Sequence, residues 1–329
     1  MPLNPAPKVS VIVPVYNTEL YVERAIVSLM EQTLDDVQFI IIDDGSKDNS
    51  FNLIKKVIAR YPERESQVIL MSRQNRGVAA TRAQGLELAT GEYVIHLDSD
   101  DWAELNWLQV MYTKAMEENA DVVVCDYFEE FDNKQLLVNQ ADIKSGLDGV
   151  KKLFCGGISN SNWNKMVSQK LMKDNNICFQ AGLDMGEDFI VSFMVFFYSK
   201  KVKSICSPLY HYNRSNVNAL TQNYSSKALA DLVKTVDFVE LFLMRNYACE
   251  ELHEEILNLK MNTKSLHIIS SHIEKFLVIK AFEIYPETHP YILKSKLTTL
   301  KICYLLYTLR LLPLCRLVLL SRTLIKLVR

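Results

Sequence analysis

Several familiar signatures are missing from this 329-residue chain, and each absence excludes something. No G-x-G-x-x-G follows the first apolar run, which argues against a dinucleotide-binding oxidoreductase. No G-x-x-x-x-G-K-[ST] occurs, which argues against a P-loop phosphotransferase. The seven cysteines, Cys125, Cys155, Cys178, Cys206, Cys249, Cys303 and Cys315, include no C-x-x-C pair. An odd count without such a pair points to reduced, buried thiols rather than a disulfide framework or a zinc site. No basic stretch followed by a long apolar one opens the chain, so a signal peptide is not expected and the cytoplasm is the default. Neither end carries a lipidation motif. No apolar run reaches the roughly 18 residues of a spanning helix. Internal repeats and low-complexity tracts are also absent. The net charge of −2 excludes a molecule built as a whole to hold nucleic acid.

One absence is local. Glu287 is the last acidic residue, and the stretch from Thr288 to Arg329 carries Lys294, Lys296, Lys301, Arg310, Arg316, Arg322, Lys326 and Arg329 with no Asp or Glu. Such an asymmetry points to an acidic partner surface.

The remainder reads as an ordinary globular chain, 49% apolar and 23% charged, of a length that suggests two domains or one domain with an extension. Its first half alternates strand and helix. Apolar, β-branched runs at Val9 to Val15, Val37 to Ile42, Val68 to Met71, Tyr93 to Leu97 and Asp121 to Cys125 predict strands. Helical spacing lies between them, over Glu19 to Thr33, from Phe51 to Ile58, over Val78 to Ala89 and over Leu105 to Met116, with Asp48-Asn49-Ser50 as a helix cap. Alternation of this kind predicts an α/β fold whose mostly parallel sheet is flanked by helices. The middle, from about 145 to 226, is mixed, and the chain from Lys227 onward is almost wholly helical.

Ligands of open α/β sheets bind at the carboxyl ends of the strands. Three polar clusters fall there: Tyr16-Asn17, Asp43-Asp44-Gly45-Ser46 and Asp98-Ser99-Asp100-Asp101. Any one of them is compatible with plain turn chemistry; three at one edge suggest a site. In an extended segment, side chains two apart point the same way, so Asp98 and Asp100 can converge. Left alone they would repel, and a hard divalent cation, Mg²⁺ or Mn²⁺, would resolve the repulsion while also accepting phosphate oxygens. A helix N-cap role would account for Asp101 but not for Asp98 and Asp100. With no glycine-rich cradle, the metal would have to carry the phosphates.

The segments V-S-V-I-V-P-V-Y-N (9–17), I-I-I-D-D-G-S-K-D-N-S (40–50), N-R-G-V-A-A-T-R (75–82) and G-E-Y-V-I-H-L-D-S-D-D-W (91–102) resemble glycosyltransferase family 2, whose members have the GT-A fold and invert the anomeric centre. The resemblance covers residues 8 to about 130 and, more thinly, 160 to 218. It implies that Pro14, Tyr16 and Asn17 line the nucleotide pocket, that Asp44 binds the uracil or equivalent base, and that Arg82 meets the base or its neighbours, with Arg76 as a second candidate. It further implies that Asp98 reaches the ribose or the metal and that Asp100 is the principal metal ligand. Where the family usually has Ala-Arg-Asn, this chain has Thr81-Arg82-Ala83. Gly186-Glu187-Asp188-Phe189 is similar to the family's Glu-Asp motif, which makes Asp188 the general base, with Glu187 second. Its position at the start of an apolar helical stripe (Phe189, Ile190, Phe193, Met194, Phe197) would keep a carboxylate ionised. Trp163-Asn164-Lys165 resembles an element near the acceptor, which places Lys165 on the acceptor side, and Tyr210-His211-Tyr212-Asn213-Arg214 resembles one that folds over the diphosphate, where His211 and Arg214 would neutralise the leaving group.

These readings give a catalytic domain over 1–226, with a nucleotide-sugar half at about 8–130 and an acceptor half at about 131–226, and a helical region over 227–329. The implied enzyme moves a sugar from a nucleoside diphosphate, a UDP-sugar first, to a hydroxyl of a glycan or polyprenyl-linked acceptor in surface polysaccharide assembly. The leucine-rich end, with Arg322, Lys326 and Arg329 on one side of an ideal helix after Pro313, fits an in-plane helix on the inner face of the cytoplasmic membrane. A cap on the catalytic domain or a homo-oligomer interface is its alternative. For the whole chain the alternatives are a non-catalytic scaffold of a membrane-bound assembly complex and a nucleotidyltransferase. The latter would carry a glycine-rich, lysine-containing loop where this chain has Pro14-Val15-Tyr16-Asn17.

Overall fold

The structure, a computed structural model, describes residues 6–180, 182–183, 185–216, 225–270, 275–315 and 317–319. The chain divides into two compact units, 1–222 and 223–329.

In the first unit, nine strands among the described residues form one sheet: β1 (Val9–Val15), β2 (Val37–Asp43), β3 (Val68–Ser72), β4 (Tyr93–His96), β5 (Trp102–Ala103), β6 (Val122–Phe131), β7 (Lys134–Val138), β8 (Lys165–Ser168) and β9 (Val202–Asn213). Seven helices accompany them: α1 (Val22–Met30), α2 (Ser50–Ile58), α3 (Val78–Leu88), α4 (Trp107–Glu118), α5 (Gly146–Phe154), α6 (Gln169–Asp174) and α7 (Glu187–Tyr198). The strand order is β3-β2-β1-β4-β8-β6-β9-β5, with β7 on β6. The first four strands of that order are mutually parallel. Antiparallel pairings enter at β8, β7 and β5; of these only β8 lies in the 145–226 stretch whose periodicity is mixed.

The β-branched runs explain the first half. Both faces of β1 are buried: Val9, Val11, Val13 and Val15 pack into one core cluster, while Ile12 joins Ile40, Ile42 and Val94 in another on the opposite face. From β1 the chain goes to β2 on one side, and β4 lies on the other. This reversal of strand order places a crevice at the carboxyl ends of β1 and β4.

Packing of α3 on this sheet depends on Gly85, where an added Cβ would lie 2.4 Å from Cγ2 of buried Ile12. Gly85→Ala should regain about 1 kcal/mol of helix propensity yet lose more to overpacking, which costs about 1–3 kcal/mol. A lowered denaturation midpoint is the expected result, and a raised one would show that β1 and α3 can separate freely.

One alternative falls away here and one expectation is corrected. The fourth helix begins at Trp107, and its N-cap residue, Asn106, makes no side-chain capping bond. Asp101 therefore caps nothing; it is buried and accepts from the Tyr210 hydroxyl (2.9 Å) and the Asn213 amide (2.8 Å). The cysteines are all free, but only Cys125, Cys303 and Cys315 are buried; Cys155, Cys178 and Cys206 are exposed.

The second unit is helical: α8 (Ser226–Arg245), α9 (His253–Ser270), α10 (Lys275–Glu283), α11 (His289–Ile292) and α12 (Thr298–Thr308). Its core gathers Met261, Ile268, Phe282, Ile292, Leu300 and Cys303. Among the described residues no helix is long and apolar enough to cross a membrane. The expected basic helix bearing Arg322, Lys326 and Arg329 lies outside the described residues.

Candidate active site

The three polar clusters meet at one edge through hydrogen bonds. Asn17, in a left-handed conformation (φ 52°), donates its amide to Ser46 Oγ (2.9 Å) and accepts from the Lys47 amide (2.8 Å). Thr18 Oγ1 donates to Ser99 Oγ (3.1 Å), which ties the β1 loop to the acidic loop after β4. Tyr16 is exposed at this edge, and Pro14 is half-buried at the end of β1.

Asp44 orders the neighbouring loop. Its buried carboxylate accepts from the amides of Arg76 (3.0 Å) and Gly77 (2.8 Å) and pairs with Arg73 (3.0 Å). Arg76 is thus joined to Asp44 through its backbone.

At the centre lies Arg82, carried by α3 and only 4% exposed. Its Nη2 donates to Asp98 Oδ1 (2.7 Å), and its Nη1 donates to Glu187 Oε1 (2.9 Å) and Asp188 Oδ1 (2.6 Å). One guanidinium therefore links the end of β4 to the start of α7. Its Nε is buried with no partner among the described residues. The three carboxylates hold Arg82 firmly charged by raising its pKa against the opposing effect of burial.

The two acids of α7 differ. The side chain of Asp188 is 22% exposed and its Oδ1 also accepts from Asn162 Nδ2 (2.7 Å), whereas that of Glu187 is 8% exposed. Burial, then the charge of Asp188, pushes the Glu187 carboxyl well above the ordinary carboxylate range. Among the described residues Arg82 is the cation in direct contact with all three acids, which favours a proton on the less exposed side chain of the α7 pair, Glu187. Burial also raises Asp188, with Arg82 and Asn162 working against that rise.

The acidic loop is closed from the far side by β9 and the residues after it. Asn216 Nδ2 donates to Asp100 Oδ2 (2.7 Å) and Asn213 Nδ2 to the Asp100 carbonyl (3.1 Å). Burial and then the charge of Asp98 raise the Asp100 pKa. A carboxyl whose ionisation a neighbouring carboxylate disfavours, with hard oxygen donors on both, fits a divalent cation. Among the described residues no cluster of three His, Cys, Asp or Glu is assembled for a metal, so further oxygens would come from substrate or water.

Lys165, expected on the acceptor side, and His211 and Arg214, expected over the diphosphate, are each engaged with neighbouring protein groups. Lys165 is 1% exposed, and its ammonium donates to the carbonyls of Ser159 (2.7 Å) and Ser161 (2.5 Å) and to Asn164 Oδ1 (2.9 Å). It braces the 159–164 turn from beneath. His211 is buried, stacked on Trp102 (4.8 Å, 6°), with its ring nitrogens 2.9 Å from Glu104 and 2.7 Å from Glu130. Arg24 lies 3.2 Å over Trp102. Arg214 is half-buried beside Tyr212.

Sequence reasoning missed Asn162, Arg73 and Asn216, and did not foresee that Asp101 pairs with Tyr210. Asn162 sits one residue before the Trp163-Asn164-Lys165 segment singled out above, so a signal adjoined it. Arg73 follows β3 directly; Asn216 meets Asp100, and Tyr210 meets Asp101, across more than a hundred residues, pairings that no local pattern signals.

The model of glycosyl transferase family 2 matches residues 10–176, about half of the chain. The chain belongs to that family. Among its relatives, the EpsH protein of Bacillus subtilis is 30% identical over 257 residues, 76% of this chain and 73% of that protein. The cholesterol galactosyltransferase of Borreliella burgdorferi is 28% identical over 296 residues, 84% and 80% of the two chains. The fold is that of S. aureus TarS 1–349, solved in complex with UDP-GlcNAc, at a TM-score of 0.63 and 17% identity over 96% of this chain and 91% of that one. The mannosyltransferase PcManGT of Pyrobaculum calidifontis, solved with GDP-Man and Mn²⁺, matches at a TM-score of 0.52 and 13% identity over 97% and 86%. This family 2 glycosyltransferase thus has the GT-A fold.

Proposed function

We propose that the chain transfers a sugar, with inversion, from a nucleoside diphosphate, UDP first, to a hydroxyl of a glycan or polyprenyl-linked acceptor in surface polysaccharide assembly. The observation that carries this reading is the Arg82 bridge, which sets Asp98 of the donor edge and Asp188 of α7 on one guanidinium. UDP-GlcNAc in TarS and GDP-Man with Mn²⁺ in PcManGT support a nucleotide-sugar donor and a divalent ion. Pro14, Tyr16 and Asn17 would flank the nucleotide, with Asp44 and Arg76 toward the base. Asp98 and Asp100 would hold the cation, which when bound supplies Lewis-acid stabilisation to the departing diphosphate.

Asp188 takes the proton of the acceptor hydroxyl as that oxygen bonds to the anomeric carbon and the bond from that carbon to the diphosphate breaks. Arg82 and Asn162, both on Oδ1, fix the carboxylate's orientation. The Arg82 Nε–H gives the donor side a further buried hydrogen-bond donor. A polyprenyl-linked acceptor would place the enzyme at the inner face of the cytoplasmic membrane.

A thermal-shift screen of nucleoside diphosphate sugars with Mn²⁺ tests the donor claim. The cognate donor at about 100 times its Kd should stabilise the protein by about 2.7 kcal/mol. Asp100→Ala should abolish both that shift and metal-stimulated nucleotide-sugar hydrolysis. Metal-stimulated turnover retained by the variant would remove Asp100 from the metal site.

A further inference from the structure

The second unit carries an apolar face turned outward. Along α12, Leu300 and Cys303 are buried in the unit's core, and Tyr307 stacks on Phe282 at 4.6 Å. The opposite face of the same helix is Ile302 (39% exposed) and Leu305 (46%), continued at the C-cap by Leu309 (65%), spaced three and four residues apart. The turn that follows adds Leu311 and Leu314, both exposed. Soluble surfaces scatter such residues singly; a contiguous stripe at the end of a folded unit marks a docking surface.

Charge decides what docks. Lys301 adjoins Ile302 on the helix, Arg310 follows Leu309 at its end, and Lys294 and Lys296 are exposed just before the helix. No acidic residue occurs beyond Glu287 to balance them. A second copy of this face would bring like charges together, so self-association through it is disfavoured. An acidic apolar protein groove would also satisfy the charge, but cations placed beside exposed leucines along a helix are the pattern of a helix lying in a lipid interface. We propose that the α12 face, with Ile302, Leu305 and Leu309 buried among acyl chains and Lys301 and Arg310 on headgroup phosphates, docks the protein on an anionic lipid surface. The contact is a face of a folded unit, anchored from behind by the core, and precedes the basic helix expected from the sequence alone. The inference rests on the reading of the enzyme as one that works on a membrane-held acceptor, and it names the surface that brings it there.

The test is co-sedimentation of the full chain with vesicles of phosphatidylcholine, with or without about one third phosphatidylglycerol. Binding should require the anionic lipid and weaken several-fold as salt is raised from about 0.05 M to about 0.5 M. Leu305→Glu with Leu309→Glu should reduce binding at least about tenfold, and Lys301→Glu with Arg310→Glu should do so independently. All four positions lie at the surface of α12 or its end, and an unchanged melting temperature and unchanged nucleotide-sugar hydrolysis would show that unit and site are intact. Unchanged vesicle binding in both variants overturns the proposal, as does equal binding to neutral vesicles. A concentration-dependent dimer in the native chain that the leucine variant dissolves, with no vesicle binding, would assign the face to a second copy instead. Failure of the native chain to hydrolyse any nucleotide sugar would count against the enzyme reading, whatever the vesicles show.

Discussion

Asp188→Asn should lose at least about 100-fold in kcat while binding the donor as tightly as the native enzyme, because positioned general-base help contributes roughly 10²–10⁴-fold. The substitution keeps the shape and leaves an Oδ1 able to accept from Arg82 and Asn162, so the bridge to Asp98 persists. Only the charge and the capacity to take a proton go. Glu187→Gln should fall within about tenfold of the native rate, since a carboxyl that burial already keeps protonated gives up no base when it becomes an amide. The pH profile follows with a definite sign. Asp188 must be ionised to act, and its pKa is raised above the ordinary 3.8, so the acid limb of kcat/KM should lie above that value. Asn162→Ala removes a hydrogen bond that favours the carboxylate and should move this limb further toward neutral pH. Steady-state rates across pH, with donor binding followed by thermal shift, check all three variants. A near-native rate for Asp188→Asn would mean that the acceptor's proton leaves by another route.

What the sequence made legible was what local pattern controls. The runs VSVIVPV and VQFIII become the buried centre of a parallel sheet because β-branched residues with no polar alternation suit strands covered on both faces. Asp98, Asp100, Asp44 and Asn17 were found because each directly follows such a run, and the topology of parallel strands then delivers them to one edge. Asp48-Asn49-Ser50 reads as a cap; the N-cap residue is Asn49, which makes no side-chain capping bond, while Asp48 accepts from the Ser50 amide at 3.0 Å. Partners across the chain were not legible. Asp101 looks like its neighbours in the D-S-D-D string, but its bonds to Tyr210 and Asn213 turn it into a buried anchor. Lys165 begins β8 with nothing to mark it as interior; its burial follows from a turn whose carbonyls converge on the ammonium. The register of β9 on β6 shifts around Cys125 and Asp126, an irregularity that periodicity cannot anticipate. Arg82 was singled out by motif, yet nothing near it announced that it would sit among three acids from distant segments.

That setting yields the largest expected change in stability. Arg82→Met should destabilise the first unit by about 3–5 kcal/mol, the usual consequence of removing one partner from a buried ionic cluster. Methionine fills much of the same space, so the loss should be electrostatic: Asp98, Glu187 and Asp188 would face one another with no cation. The pH dependence separates this from a packing defect. Without the guanidinium, the folded-state pKa values of Glu187 and Asp188 rise further above their unfolded values, and a group shifted in that direction loses stability as pH rises through the interval between the two. The deficit relative to the native protein should therefore be largest near about pH 8 and shrink toward about pH 5, where protonation relieves the repulsion. Denaturant titrations at several pH values measure it directly. Arg82→Lys should recover part of the deficit, since an ammonium restores the charge but cannot fork between Asp98 on one side and Asp188 on the other. A deficit below about 1 kcal/mol, or one that does not change with pH, would mean that the three acids are held apart by something other than Arg82.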